Sequence, residues 1–543
     1  MKLFESVSLL DEASWERLAT RMAEEQPRPL PLISSLAYLR HRAGANNVLI
    51  EHRYVDRDHR AAFTYFYARQ FCQIPQLCER YHFFKSSKPW RPTLGASPPR
   101  SPEEEYLGFI IRRPCPNSPI GRSVFPISAS IIPGAYAHTR FEIPSHVNET
   151  ELKALGVPFC QQDSVVMTCA ETSIWTAARI MTEHFDHRPV LPSQIASLDT
   201  IGFSRHGRVL PSGGLTADQM AHALTTLGFG PVYYVKDSAK DELSRWDALD
   251  VAATYLTSSI PVILGIPRHA VTACGVMQRR DRRSIRPSPV LPSHNWVEGL
   301  LIQDDARGPF RLMPLDIGAC RSFQAAGLHD LLMSTDLHQR TRTGGRWVIT
   351  RDVDTVLVPL PEKVFLTARD VHKLALEFLR PGGVLHGFKP LILQIANSGN
   401  NGARQLYEAL SFPKHGGLVY SVRLRRSIDV RSDFHGANEQ VRTILRDTPL
   451  SRFVWVVEFT TYDNFTHPKK EARELLGELY FDATSHAYSG VSSLIFAHFV
   501  GTVYNRPDLL VGSSVTRGPY PILDDRPLLR EGIPLWTDKE DPS

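Results

Sequence analysis

Cys169-Ala-Glu-Thr-Ser-Ile-Trp-Thr-Ala-Ala-Arg-Ile-Met181 is the stretch from which the fold and the chemistry both follow. Ile174, Ala177, Ala178 and Met181 recur at helical spacing, so the segment reads as a helix with its thiol in the first turn. A sulfur placed there sits at the positive end of the helix dipole, beside unpaired N–H groups, where a thiolate is stabilised. Downstream, Thr216 caps a second helix that carries Met220, Leu224 and Leu227 and stops at Gly228. Strands are expected at Pro231-Val-Tyr-Tyr-Val235 and Pro261-Val-Ile-Leu-Gly-Ile266, with a third helix from about residue 241 to 258 between them. His269-Ala-Val-Thr-Ala-Cys-Gly-Val-Met277 and Gly299-Leu-Leu-Ile-Gln303 follow as strands, the second ending at Asp304-Asp-Ala-Arg307. Helices followed by antiparallel strands make an α+β domain.

Thiol catalysis needs a histidine to accept and return a proton, and a polar group to orient the imidazole. His269 and Asp304 are placed for those two tasks at strand ends, with Asp305 the rival for the second. The oxyanion needs a donor, and Gln161 and Gln162 precede the thiol on the segment that crosses the helix start; Gln162 is the favoured one. Glu171 reads as an ordinary acidic partner of the helix dipole.

In this order, Gln162, Cys169 on a Trp-bearing helix, Gly213-Gly-Leu-Thr, Pro-Val-Ile-Leu-Gly before His269-Ala-Val, and Asp304 resemble the papain-like cysteine peptidase superfamily. The set is most similar to its compact bacterial branch, that of the double-glycine-leader peptidases. Asp304-Asp-Ala-Arg307 also looks like the corresponding segment of the phytochelatin synthases, which are transpeptidases. The resemblance covers roughly residues 155 to 320. It departs from the branch at Ala170, where Gly is usual, and in the seven-residue spacing from Gln162 to the thiol. It implies a central papain-like domain at 151–355, a peptide or protein substrate, and an acyl-enzyme on Cys169 hydrolysed by water or passed to an amine. A catalytically inactive scaffold on the same fold is the non-enzymatic alternative. A bacterial source is expected from the branch alone.

The remaining chain is read from composition. With 543 residues, two or three domains are expected, here 1–150 (mixed α/β), 151–355, 356–515 (α+β) and a Pro-rich tail at 516–543. Asn47–Tyr54 and 106–112 read as strands and 60–71 as a helix, with a loop over 85–105; no chemistry is recognised there. After a helix at 367–379, strands are expected at 418–424, 453–459, 478–483 and 495–504. A hydrophobic fraction of 42% with 22% charge excludes wholesale disorder. A net charge of +5 is too small to imply nucleic acid or membrane partners.

The start lacks a secretory signal and no apolar run is long enough to span a bilayer, so a cytoplasmic protein is expected. Seven cysteines, odd in number and irregularly spaced, argue for reduced thiols. Cys72 and Cys78 lack zinc-site spacing, while His184, Asp186 and His187 read as surface residues at a helix end. No phosphate-cradling glycine loop is present, so neither metal nor cofactor is expected. The arginines at 279, 280, 282, 283 and 286 read as a solvated loop.

Overall fold

Helix Cys169–Phe185 is buried on nearly every side, including Trp175, Thr176 and Ile180, which lie off the stripe expected from the sequence. A helix buried all round must have apolar structure on more than one flank, and this one packs against strands of two different sheets. The computed structural model describes residues 3–24, 29–71, 73–87, 105–115, 117–198, 214–236, 248–279, 284–335, 346–412, 417–433, 443, 445–467, 474–500, 502–505 and 517–521. They fall into two units, the first comprising 1–252, 259–277 and 298–361, the second 253–258, 278–297 and 362–543.

In the first unit, one sheet runs in the order Phe4–Ser8, Asn47–Tyr54, Cys78–Phe84, Tyr106–Arg112, Ser123–Pro126, Thr150–Phe159, Phe141–Val147. Its pairings are antiparallel. The alternating exposure of Phe141–Val147 marks it as an edge with one face in the core. Residue 150 therefore opens a strand rather than a domain, and the N-terminal sheet shares one unit with the Cys169 helix. Pairing, which composition does not reveal, set the division.

The second sheet orders its strands Gly308–Pro314, Val297–Asp304, His269–Gln278, Val262–Ile266, Thr355–Pro361, Phe229–Val235. Strands Val262–Ile266 and His269–Gln278 form a tight antiparallel hairpin in which Ile266 opposes His269. Thr355–Pro361 belongs to this sheet, so the unit runs through 361 rather than ending at 355. The capped helix Ala217–Thr226 starts at Thr216 and Gly228 has φ 95, as its sequence requires. Of the expected helix before Ser258, Ala248–Leu256 is helical and 241–247 lie outside the described residues.

The second unit holds one sheet, Val290–Pro292, Leu418–Arg426, Phe453–Thr461, Gly477–Asp482, Leu494–Phe499, Thr502–Asn505, Arg517–Pro521. Its first pair is parallel and the others antiparallel. The single strand expected over 495–504 is a hairpin, broken where Val500 takes φ 23. Helix Ala368–Leu379, capped by Thr367, matches expectation. Both units are α+β. Among the described residues no helix is long and apolar enough to cross a membrane. Apart from Arg517–Pro521, the tail at 516–543 lies outside the described residues.

Candidate functional site

Thr168 has extended backbone and caps the Cys169 helix. Its N–H donates to Glu171 Oε2 at 3.1 Å and its hydroxyl donates to the same oxygen. Glu171 is thus the return arm of a capping box, which fixes where the helix begins and so where the sulfur points. The preceding loop is fixed independently by Asp163. Its Oδ1 accepts from the N–H groups of Val165, Val166 and Met167 at 2.8–2.9 Å, and its Oδ2 accepts from Tyr67 Oη at 2.6 Å. Further along, Trp175 Nε1 donates to Asp58 Oδ2 at 2.9 Å. Burial, reinforced by the Asp56 charge, pushes the Asp58 carboxyl up. The N-terminal segment, in which the sequence shows no chemistry, therefore braces the thiol helix at two points.

Cys169 is the one partly open thiol among the described cysteines; Cys78, Cys115, Cys160, Cys274 and Cys320 are buried. Burial pushes those five thiols up, Cys160 to about 12. Cys169 faces a groove of about 600 Å³ together with His269, Thr168, Gly214, Met220 and Leu357. The volume suits a peptide side chain and its flanking backbone. Gly265 also lines the groove, and a Cβ there would stand 3.1 Å from Thr355 Cβ.

His269 begins its strand and Asp304 ends the neighbouring one, which brings residues 35 positions apart into contact. Imidazole Nε2 lies 2.9 Å from Asp304 Oδ1 and 3.7 Å from Asp305 Oδ1. That commits Nε2 to the acids and leaves Nδ1 uncommitted, while Cys169 lines the same groove and helps to raise the imidazole.

Burial opposes charging of His269, but the Asp304 charge and hydrogen bond, then the Cys169 contact, overcome it and raise the imidazole to about 11. Burial likewise penalises the Asp304 carboxylate, yet His269 and Arg307 hold it well below the usual carboxylate range. Asp304 is further tied by the N–H groups of Ala306 and Arg307, at 3.0 and 3.1 Å, and by Arg307 Nη1 at 2.6 Å to Oδ2.

Asp305 differs from its neighbour. Burial and the adjacent Asp304 charge raise it to about 7 against the pull of His269, and its Oδ2 is buried without a hydrogen-bond partner among the described residues. Asp304 is therefore the residue that the hydrogen bonds tie to the imidazole. No protein-family model, curated protein or solved structure matches the chain.

Gln161 is spent on structure: Nε2 donates to the Asn117 carbonyl at 3.1 Å and Oε1 accepts from Ile120 N–H at 3.3 Å. Gln162 is half-buried on the same segment and does not line the groove. The backbone N–H of Cys169, at the first helical position, is the donor the site does place at the sulfur.

His269, Asp304 and Asp305 offer ligand atoms within 4.8 Å of one another. Asp304 already holds His269 with one oxygen and Arg307 with the other, so a cation would have to displace both. The set fits an orienting cluster better than a metal centre. His187 stacks on Phe229 with ring centroids 3.8 Å apart, and Asp186 closes its helix in the left-handed region. Cys72, Gly213 and the arginines at 280, 282 and 283 lie outside the described residues.

Proposed function

We propose that the first unit is a papain-like thiol hydrolase of peptide or isopeptide bonds, with Cys169 as nucleophile and His269 as proton carrier. The supporting observation is that an imidazole hydrogen-bonded to a buried carboxylate lines the same groove as a partly open thiol at a helix start. A cationic imidazole beside a thiol in that position is the setting in which sulfur attacks as the thiolate. Sulfur adds to the scissile carbonyl, and the Cys169 N–H receives the developing oxyanion. His269 then gives its proton to the leaving amine, whose C–N bond breaks as the thioester remains on Cys169. Water, deprotonated by His269, cleaves the thioester and restores the resting pair. Asp304 orients His269 throughout and keeps it cationic before attack.

The test is alkylation by iodoacetamide followed by peptide mapping. Cys169 is expected to react well ahead of the five buried thiols, and His269→Ala to slow it by about 10²-fold or more. Product analysis with and without an added amine then shows whether water or the amine accepts the acyl group. Labelling of equal rate in wild type and Cys169→Ala would remove the basis of this reading.

A further inference from the structure

The hairpin that delivers His269 turns through only two residues, Pro267 and Arg268, between Ile266 and His269. Proline holds its φ near −65°, while Arg268 has φ 62. That combination is the type II turn, whose second central position favours glycine because a Cβ is sterically strained there. The chain places a long cation at this point instead. Arg268 is exposed, lines the groove beside His269, and has no hydrogen bond or ion pair among the described residues.

The other charges on the groove sharpen the contrast. Asp304 and Asp305 stand behind His269 and are buried. Asp354, the remaining groove acid, is exposed and hangs on the far strand, its N–H bonded to the Gly265 carbonyl at 2.8 Å. Gly265 pairs with Ala270 on one side and Thr355 on the other, so Asp354 lies about 10 Å, two strand spacings, from the His269 strand. Arg268 and His269 therefore bring positive charge to the hairpin side of the groove, and the Asp354 backbone stands two strands away. A guanidinium free to fork onto two oxygens is the side chain best suited to a carboxylate.

We propose that Arg268 is a specificity-determining residue that receives a carboxylate adjoining the scissile carbonyl. The acyl donors of this site are then acidic peptides or isopeptides, a conclusion that rests on the thiol-hydrolase reading above. Strain retained at a turn in an open groove is accounted for by a ligand contact that glycine could not make.

The experiment compares alkylation of Cys169 by iodoacetate and by iodoacetamide, which differ in charge, in wild type, Arg268→Gln, Arg268→Lys and Arg268→Gly. The ratio of the iodoacetate rate to the iodoacetamide rate is expected to fall about threefold in Arg268→Gln and Arg268→Gly and to be largely kept in Arg268→Lys. Arg268→Gly should also melt about 2 °C higher, because the turn loses its strain while the groove loses its cation. A ratio unmoved by Arg268→Gln, or both rates falling together, overturns the assignment of Arg268. Failure of wild-type Cys169 to react with either reagent would instead overturn the hydrolase reading, so the two failures are told apart.

Discussion

Asp304 Oδ1 stands 2.9 Å from His269 Nε2, with the acid at the end of one strand and the imidazole at the start of its neighbour. Because each group shifts the other toward its charged form, the pair leaves a mark on stability as well as on reactivity. His269 is raised from about 6.5 when unfolded to about 11 when folded. Its contribution is complete below pH about 6.5 and is lost as pH climbs through 11. Asp304 is depressed, so its contribution is complete above its unfolded value of about 3.9 and is lost as pH falls. Thermal melts should therefore show an alkaline decline between pH 7 and 11 that is much reduced in His269→Gln. A decline identical in both proteins would place its origin elsewhere.

The neighbouring acid has the opposite linkage. Asp305 is raised to about 7 by burial, so ionising it costs folding free energy as pH climbs from about 4 through 7. Asp305→Asn removes that cost. The variant should gain stability at pH 8 and gain little at pH 4, measured by denaturant melts at both.

The two acids also differ in what they do for the thiol. Asp304→Ala takes away the hydrogen bond that fixes the ring and leaves Arg307 facing an empty place, so alkylation of Cys169 should fall by about 10²-fold or more. Asp305→Asn, 3.7 Å from the ring, should lower it by no more than about threefold. Equal losses would mean that the two carboxylates share the orienting task.

Much of this site is legible in the chain because its elements are short-range. The 3.6-residue period after Cys169, the Thr216 cap and the β-branched run before Ile266 each announce themselves within a dozen residues. His269 and Asp304 can be paired because one opens and the other closes a strand of the same sheet. The support is not legible: nothing local in Asp58, Tyr67 or Asp163 shows that one grips the indole of Trp175 and another is bonded to the third. Those contacts span 117 and 96 positions and exist only after the N-terminal sheet and the Cys169 helix share one unit. The same long-range pairing explains why the boundary at 150, placed by composition, falls at the beginning of a strand. The two glutamines read as oxyanion donors show the same limit, since Gln161 is consumed by the backbone at 117 and 120 and Gln162, the favoured one, does not line the groove.

The brace at Trp175 is measurable. The indole N–H is buried and has Asp58 Oδ2 as its acceptor, so Asp58→Ala leaves a buried donor unpaired at a cost of about 1–3 kcal/mol. Asp58→Asn keeps an acceptor oxygen in place and relieves the repulsion from Asp56, and should stay within about 0.5 kcal/mol of wild type. Urea titration of both variants checks this, and the opposite order of stabilities would mean that the charge of Asp58, rather than its acceptor, holds the helix.

The loop before the thiol offers the sharpest separation of position from folding. Asp163 Oδ1 gathers three successive N–H groups just upstream of Thr168, and its other oxygen accepts from Tyr67. Asp163→Asn keeps one acceptor oxygen for the loop and replaces the other with an amide that cannot accept from Tyr67. Tyr67→Phe removes the same bond from the opposite side while sparing all three backbone contacts. Tyr67→Phe should therefore cost about 1 kcal/mol of stability and leave the pH dependence of Cys169 alkylation as in wild type. Asp163→Ala releases the loop itself, and because a helix start displaced by even 1 Å can cost about 10²-fold in rate, its alkylation should slow far more than its melting temperature falls. Parallel losses of rate and stability in Asp163→Ala would show that the loop stabilises the unit without aiming the sulfur.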